Sequence, residues 1–153
     1  MAEHQAFQYQ PIDESPAWSL IKQPQQRRPY AQQPSLMRSV GFAWEGITYA
    51  FCTQRNFRIH CFAGAAAVLF AFFLRLPVHQ TALVAALALL VLCAELINTA
   101  IEATLDFHVG SSFDISVKRI KDMAAAAVLV VCMGAVAVGT IVFLPALKAQ
   151  GIL

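Results

Sequence analysis

The stretch Met123-Ala-Ala-Ala-Ala-Val-Leu-Val-Val-Cys-Met-Gly-Ala-Val-Ala-Val-Gly-Thr-Ile-Val-Phe-Leu-Pro-Ala-Leu147 contains no charged side chain. A bilayer core needs about 20 mostly apolar residues per helix, and this run is long enough. Lipid offers the backbone no hydrogen-bond partner, so only helices and closed barrels cross it. The run shows no polar alternation, so the sequence predicts a membrane helix, starting at the basic segment near Lys118 and ending near Pro145 (about 118–145). Working back along the chain, a second span is expected over about 80–106. Its first half, Thr81 to Ala94, is uncharged, and its second half carries acids. Another is expected over about 57–76, uncharged from Cys61 to Leu74.

Composition agrees. Hydrophobic residues make up 58% of the 153 residues and charged ones 13%, against about 45–50% and about 25% in soluble domains. A core this small cannot bury so much apolar surface. An ordinary soluble enzyme, a disordered regulator and a disulfide miniprotein are thereby excluded. A net charge of +2 excludes nucleic acid as a partner. The cysteines (Cys52, Cys61, Cys93, Cys132) are widely spaced without a CxxC pair and read as small hydrophobes.

Residues 1–34 differ. They hold most of the prolines (Pro11, Pro16, Pro24, Pro29, Pro34) and a glutamine excess, which predicts a disordered tail. No apolar segment follows the start, so no signal peptide is expected. From Leu36 to about Thr53, Leu36, Val40, Ala43, Trp44, Ile47, Ala50 and Phe51 fall at helical spacing, with Arg38, Ser39, Glu45 and Thr48 off that stripe. This predicts an amphipathic helix lying in the interface, with Trp44 at headgroup level. The expected fold is therefore an all-α integral membrane domain over 35–148, an interfacial helix followed by three transmembrane helices.

Basic residues orient it. Arg38, Arg55, Arg58, Lys118, Arg119 and Lys121 flank one side, against Arg75 and Lys148 on the other. The N-terminus is expected in the cytoplasm and the C-terminus outside.

Chemistry concentrates in the second span. Glu95, Asn98, Thr99, Glu102 and Asp106 fall within one sector of about 100°. Carboxylates at membrane depth are costly and must face protein or a wet cavity. Either they pair with basic residues of neighbouring helices or they build a site. Glu102 and Asp106, one turn apart, can jointly hold Mg²⁺. Glu95, about two turns deeper, sits where a lipid hydroxyl reaches a general base. Lys118, Lys121 and Asp122 open the third span at i, i+3 and i+4, beside the acid pair, as a nucleotide triphosphate requires. Arg55 and Arg58 are phosphate contacts or headgroup anchors. No P-loop or kinase-type Gly-rich loop occurs, and the histidines form no metal-spaced pair.

Gly41-Phe-Ala-Trp-Glu-Gly46 with Gln54-Arg-Asn-Phe-Arg-Ile-His60, Glu95-Leu-Ile-Asn-Thr-Ala-Ile-Glu102 with Asp106, and Lys118-Arg-Ile-Lys-Asp-Met-Ala-Ala-Ala-Ala-Val-Leu129 together resemble the prokaryotic diacylglycerol kinase family, including its undecaprenol kinase branch. The likeness covers about Leu36 to Leu144. It implies a homotrimer that transfers phosphate from ATP, with Mg²⁺, to a lipid hydroxyl at the cytoplasmic face of the plasma or inner membrane. It implies Glu95 as general base with Asn98 beside it, and Glu102 as metal ligand. Phe42, Glu102, Asp106, Lys118, Lys121 and Asp122 would contact the nucleotide, and Glu95, Asn98, Arg55, Asn56 and Arg58 the lipid acceptor. Two positions depart from the family pattern. Gln54 stands where the family usually has a second metal-binding acid and offers only a neutral carbonyl oxygen. Asp114 stands where the family usually has His. The stretch from Arg55 to His60 looks more like the undecaprenol branch. The alternative is a non-catalytic scaffold or a small transporter subunit of the same fold. Transport sites lie near the bilayer midplane, whereas these acids lie toward one end.

Overall fold

The computed structural model describes residues 36–109 and 114–152. The tail expected over 1–34 lies outside the described residues, as do residues 110–113. Four helices are described: α1 (Leu36–Thr53), α2 (Arg55–Phe73), α3 (Val78–Val109) and α4 (Ile115–Ala149). Contacts divide the chain between Ser39 and Val40. Of the first unit only residues 36–39, the opening of α1, are described, and the account below concerns the second.

Three of the helices, α2, α3 and α4, are long and apolar enough to cross a membrane. At 1.5 Å per residue, α3 and α4 span about 48 Å and about 52 Å, well beyond the roughly 30 Å of hydrocarbon. Their polar ends therefore project past the apolar layer. Helix α3 is central and packs against both α2 and α4. In its most apolar window 28% of residues are buried, against 11% in those of α2 and α4.

The contact between α2 and α3 depends on small side chains. A Cβ placed on Gly64 would lie 2.9 Å from the Cβ of Ala88. Between membrane helices there is little hydrophobic drive, so close backbone approach and dispersion hold such pairs together. Phe70 of α2 stacks obliquely on Phe143 of α4, with ring centroids 5.4 Å apart.

Helix ends differ from the sequence expectation for identifiable reasons. The first span stops at Phe73 rather than continuing to 76, because Arg75 has φ 55°. Leu76 N–H donates to the Ala71 carbonyl and Arg75 N–H to that of Phe72, each at 3.0 Å. This is a Schellman closure with arginine in the left-handed position usually held by glycine. The same closure ends α4: Gly151, φ 69°, donates to Lys148, and Ile152 to Leu147, both at 3.1 Å. Helix α3 starts at Val78, before the expected 80, because Pro77 presents its carbonyl to Gln80 and Thr81 at 2.9 and 3.0 Å. It runs on to Val109, past the expected 106. Helix α4 begins at Ile115, not 118, because the Asp114 side chain caps it, accepting from Ser116 N–H at 2.6 Å and Val117 N–H at 3.4 Å. Those bonds hold the Asp114 carboxyl below its ordinary range. The helix also continues through Pro145. At that end Gln150 Nε2 donates to the Leu74 carbonyl at 2.8 Å, tying α4 to the C-terminus of α2.

Two outcomes follow from these contacts. Gly64→Ala should cost about 1–3 kcal/mol by overpacking. The cost should shrink in an Ala88→Gly background, read as a coupling energy in detergent unfolding. Arg75→Gly should raise stability by about 0.5–1 kcal/mol, the relief of a left-handed side chain less the added chain entropy.

Candidate functional site

Helix α3 brings its polar face together one turn at a time. Glu95, Asn98 and Thr99 are buried, Glu95 at 4% exposure, while Glu102 and Asp106 approach the surface. An ionised carboxylate removed from water needs a partner. Glu95 Oε1 finds it on α2, in His60 Nε2 at 3.2 Å. From α4, Cys132 lies within electrostatic reach of the same carboxylate. One turn further, Asn98 Nδ2 donates to Glu102 Oε1 at 3.1 Å. With Glu102 ionised and acceptor-only, this bond settles which way the amide points. Asn98 Oδ1 is then left fully buried without a protein partner, the single such side-chain atom among the described residues. An orphaned acceptor of this kind is costly and suits a donor supplied by a ligand.

Beyond it, Asp106 pairs with Lys121, joining α3 to α4. Lys118 and Asp122 pair with each other across one turn of α4 at 2.6 Å. Both pairs are largely exposed, so each adds little stability. They hold charge in place near the end of the bundle. Lysine carries three donors, so Lys121 and Lys118 each retain capacity for an anion.

The junction between α1 and α2 is a single extended residue, Gln54 (φ −100°, ψ 116°). Among the described residues its amide contacts only the Thr53 hydroxyl, at 3.5 Å. Arg58 turns back on the chain: Nη1 donates to the carbonyls of Phe51 and Cys52 at 3.1 and 3.0 Å. These are unsatisfied acceptors at the end of α1, so part of the guanidinium serves the corner. Arg55 and Asn56 are exposed and make no side-chain bond among the described residues, and Phe42 is exposed as well. Asp114, one of the two departures from the family pattern, is a helix cap.

Among the described residues no three His, Cys, Asp or Glu side chains gather as a metal site. Asp106 pairs with Lys121 and Glu102 accepts from Asn98. Mg²⁺ still fits. It keeps several waters and binds through one or two carboxylates plus phosphate oxygens rather than in a protein cage. Glu102 Oε2, free of any bond among the described residues, offers such a carboxylate.

An apolar groove of about 490 Å³ runs between α2, α3 and α4. Ala63 and Ala67, Val84 and Val91, and Ala135 line it, and His60 supplies its main polar group. His60 is the functional candidate that sequence reasoning missed. A signal existed: His60 is the last polar residue before the uncharged run of α2, and a histidine at membrane depth needs a partner.

The family model of the prokaryotic diacylglycerol kinases matches residues 41–143. A diacylglycerol kinase of Synechocystis sp. is 43% identical over 126 residues, 82% of this chain and 72% of that protein. An undecaprenol kinase of Bacillus subtilis is 33% identical over 110 residues, 72% of this chain and 89% of its own length. A diacylglycerol kinase of Escherichia coli K12 is 33% identical over 101 residues, 66% of this chain and 82% of that protein. Three membrane-length helices, a buried acid paired with a histidine of the apolar groove and these likenesses agree: the chain belongs to the prokaryotic diacylglycerol kinase family and is a multi-pass membrane lipid kinase.

Proposed function

We infer that the protein transfers the γ-phosphoryl group of ATP to the hydroxyl of a membrane lipid, either undecaprenol or diacylglycerol. The observation that carries this reading is Glu95: a buried carboxylate, 4% exposed, paired with His60, which lines an apolar groove. A lipid chain in the groove would present its hydroxyl to that carboxylate. Glu95 takes the hydroxyl proton. The freed oxygen bonds to the γ-phosphorus, and the bond to the departing ADP breaks with its electron pair. Asn98 Oδ1, buried and unpaired, can accept from the lipid headgroup and orient it. Glu102 would hold the Mg²⁺ that accompanies ATP, with the Gln54 carbonyl as a weaker neutral donor. When bound, the ion offsets phosphate charge. Lys121, steadied by Asp106, reaches the phosphates with its remaining donors, and Lys118, Asp122 and Phe42 complete the nucleotide contacts. Arg55, Asn56 and the unused nitrogens of Arg58 meet the lipid headgroup. Phosphoryl transfer asks for this positioning and electrostatic support more than for covalent chemistry.

The basic flank supports a cytoplasmic site and N-terminus, an outside C-terminus, and residence in the plasma or inner membrane. Assembly as a homotrimer is part of the proposal. Leu83, Leu89, Leu90 and Ile97 of the central α3 remain exposed in the single chain, and neighbouring copies would cover them.

Purified protein in mixed micelles, given labelled ATP with undecaprenol and diacylglycerol in parallel, should label one lipid only when Mg²⁺ is present. Failure with both lipids, from folded protein, would indicate a non-catalytic member of the family. Glu95→Gln should lower kcat by about 10²–10⁴-fold, the usual contribution of a general base. Near-normal turnover in that variant would remove Glu95 from the role. Gln54→Glu should lower the Mg²⁺ concentration for half-maximal rate, because a carboxylate attracts a hard cation more strongly than an amide. Lost activity would instead identify the amide as the required ligand.

A further inference from the structure

We propose that His60 is the positioning residue for Glu95: its Nε2–H holds Oε1 of the carboxylate and leaves Oε2 to receive the proton of the lipid hydroxyl. The proposal rests on the reading of Glu95 as general base.

Among the described residues His60 is the sole ionic partner of Glu95, its Nε2 lying 3.2 Å from Oε1. In the proposed arrangement the carboxylate oxygen accepts and Nε2–H donates. Oε2 makes no bond among the described residues, yet it is not among the fully buried, unpartnered atoms. It is the carboxylate oxygen left without a partner among the described residues. A carboxylate held at one oxygen keeps the other in a narrow arc, and a proton acceptor needs that orientation. The side chains differ in access. His60 is 26% exposed and Glu95 5%, so the imidazole forms the groove-facing side of the pair. Among the described residues no other cation pairs with Glu95. Arg58 is directed at the carbonyls of Phe51 and Cys52. The remaining titratable groups near the acid are Cys132 of α4 and, two turns along α3, Glu102, which Asn98 engages.

The backbone sets the reach. Gly64 lies four residues after His60, on the same face of α2. Ala88 lies seven before Glu95, on the same face of α3. Their close approach brings the two helices near enough for a short imidazole to meet a glutamate across them.

In the transfer, the hydroxyl O–H bond breaks and its proton passes to Oε2 of Glu95. The hydroxyl oxygen forms the new bond to phosphorus, and ADP leaves with the electrons of the old one. His60 keeps its proton throughout, still donating to Oε1. After product leaves, Glu95 returns its proton to solvent.

The test uses the full chain in mixed micelles with the lipid that wild type phosphorylates. His60→Leu should lower kcat about 10- to 100-fold, the scale of a hydrogen bond to a charged group, with KM for ATP changed by less than about twofold. His60→Gln, which restores an N–H donor, should recover most of the loss. Infrared carboxylate bands, assigned by their disappearance in Glu95→Gln, should shift in His60→Leu and shift less in His60→Gln. Wild-type kcat and unshifted bands in His60→Leu, with Glu95→Gln inactive, would overturn the role of His60 and leave the general base standing. An active Glu95→Gln would overturn the general-base reading instead, and with it this proposal. Should His60→Leu not fold, folded His60→Gln decides: a rate lost there would overturn the donor role.

Discussion

A carboxylate buried among apolar helices constrains everything around it. Taking Glu95 out of water is affordable only if a polar group meets it, because an isolated charge in a medium of low dielectric costs several kcal/mol or more. That group comes from another helix, His60 on α2. The spacing between α2 and α3 is thus a chemical requirement as well as a packing one. Gly64 and Ala88 meet it by leaving almost nothing between the two backbones. The same feature that holds the fold also sets the distance between Glu95 and His60.

Polarity is graded along α3. Glu95 and Asn98 are buried, one with a partner on another helix and the other with an acceptor unmet. Glu102 and Asp106, a few turns on, are satisfied within reach of solvent. Deep groups with unmet valence suit a ligand that arrives through lipid, and exposed, paired charges suit a soluble, highly charged one. A lipid kinase must join two such substrates at one boundary. A long central helix whose chemistry changes over about 16 Å between Glu95 and Asp106, at 1.5 Å per residue, provides for both. The helix ends support this arrangement. The Asp114 cap starts α4 just before the lysines, and the tie from Gln150 to Leu74 closes the opposite end.

Much of this was legible in the sequence. Mostly apolar runs of bilayer length gave the number of expected spans, since composition decides whether a helix tolerates lipid. The 3.6-residue period placed Glu95, Asn98, Thr99, Glu102 and Asp106 on one face. Helix boundaries were less legible. The stop after Phe73 depends on a left-handed arginine, which no propensity favours, and α4 runs through Pro145.

What the sequence by itself determined was local: which segments are apolar, which residues share a helix face, and which family the motifs fit. The partners were decided only by the tertiary structure. Asp106 turns to Lys121, Arg58 turns to carbonyls at the end of α1, and His60 meets Glu95. Helical periodicity fixes the angle of a side chain about its own axis. It does not fix the height or rotation of the neighbouring helix, which follow from how closely small residues let two backbones approach.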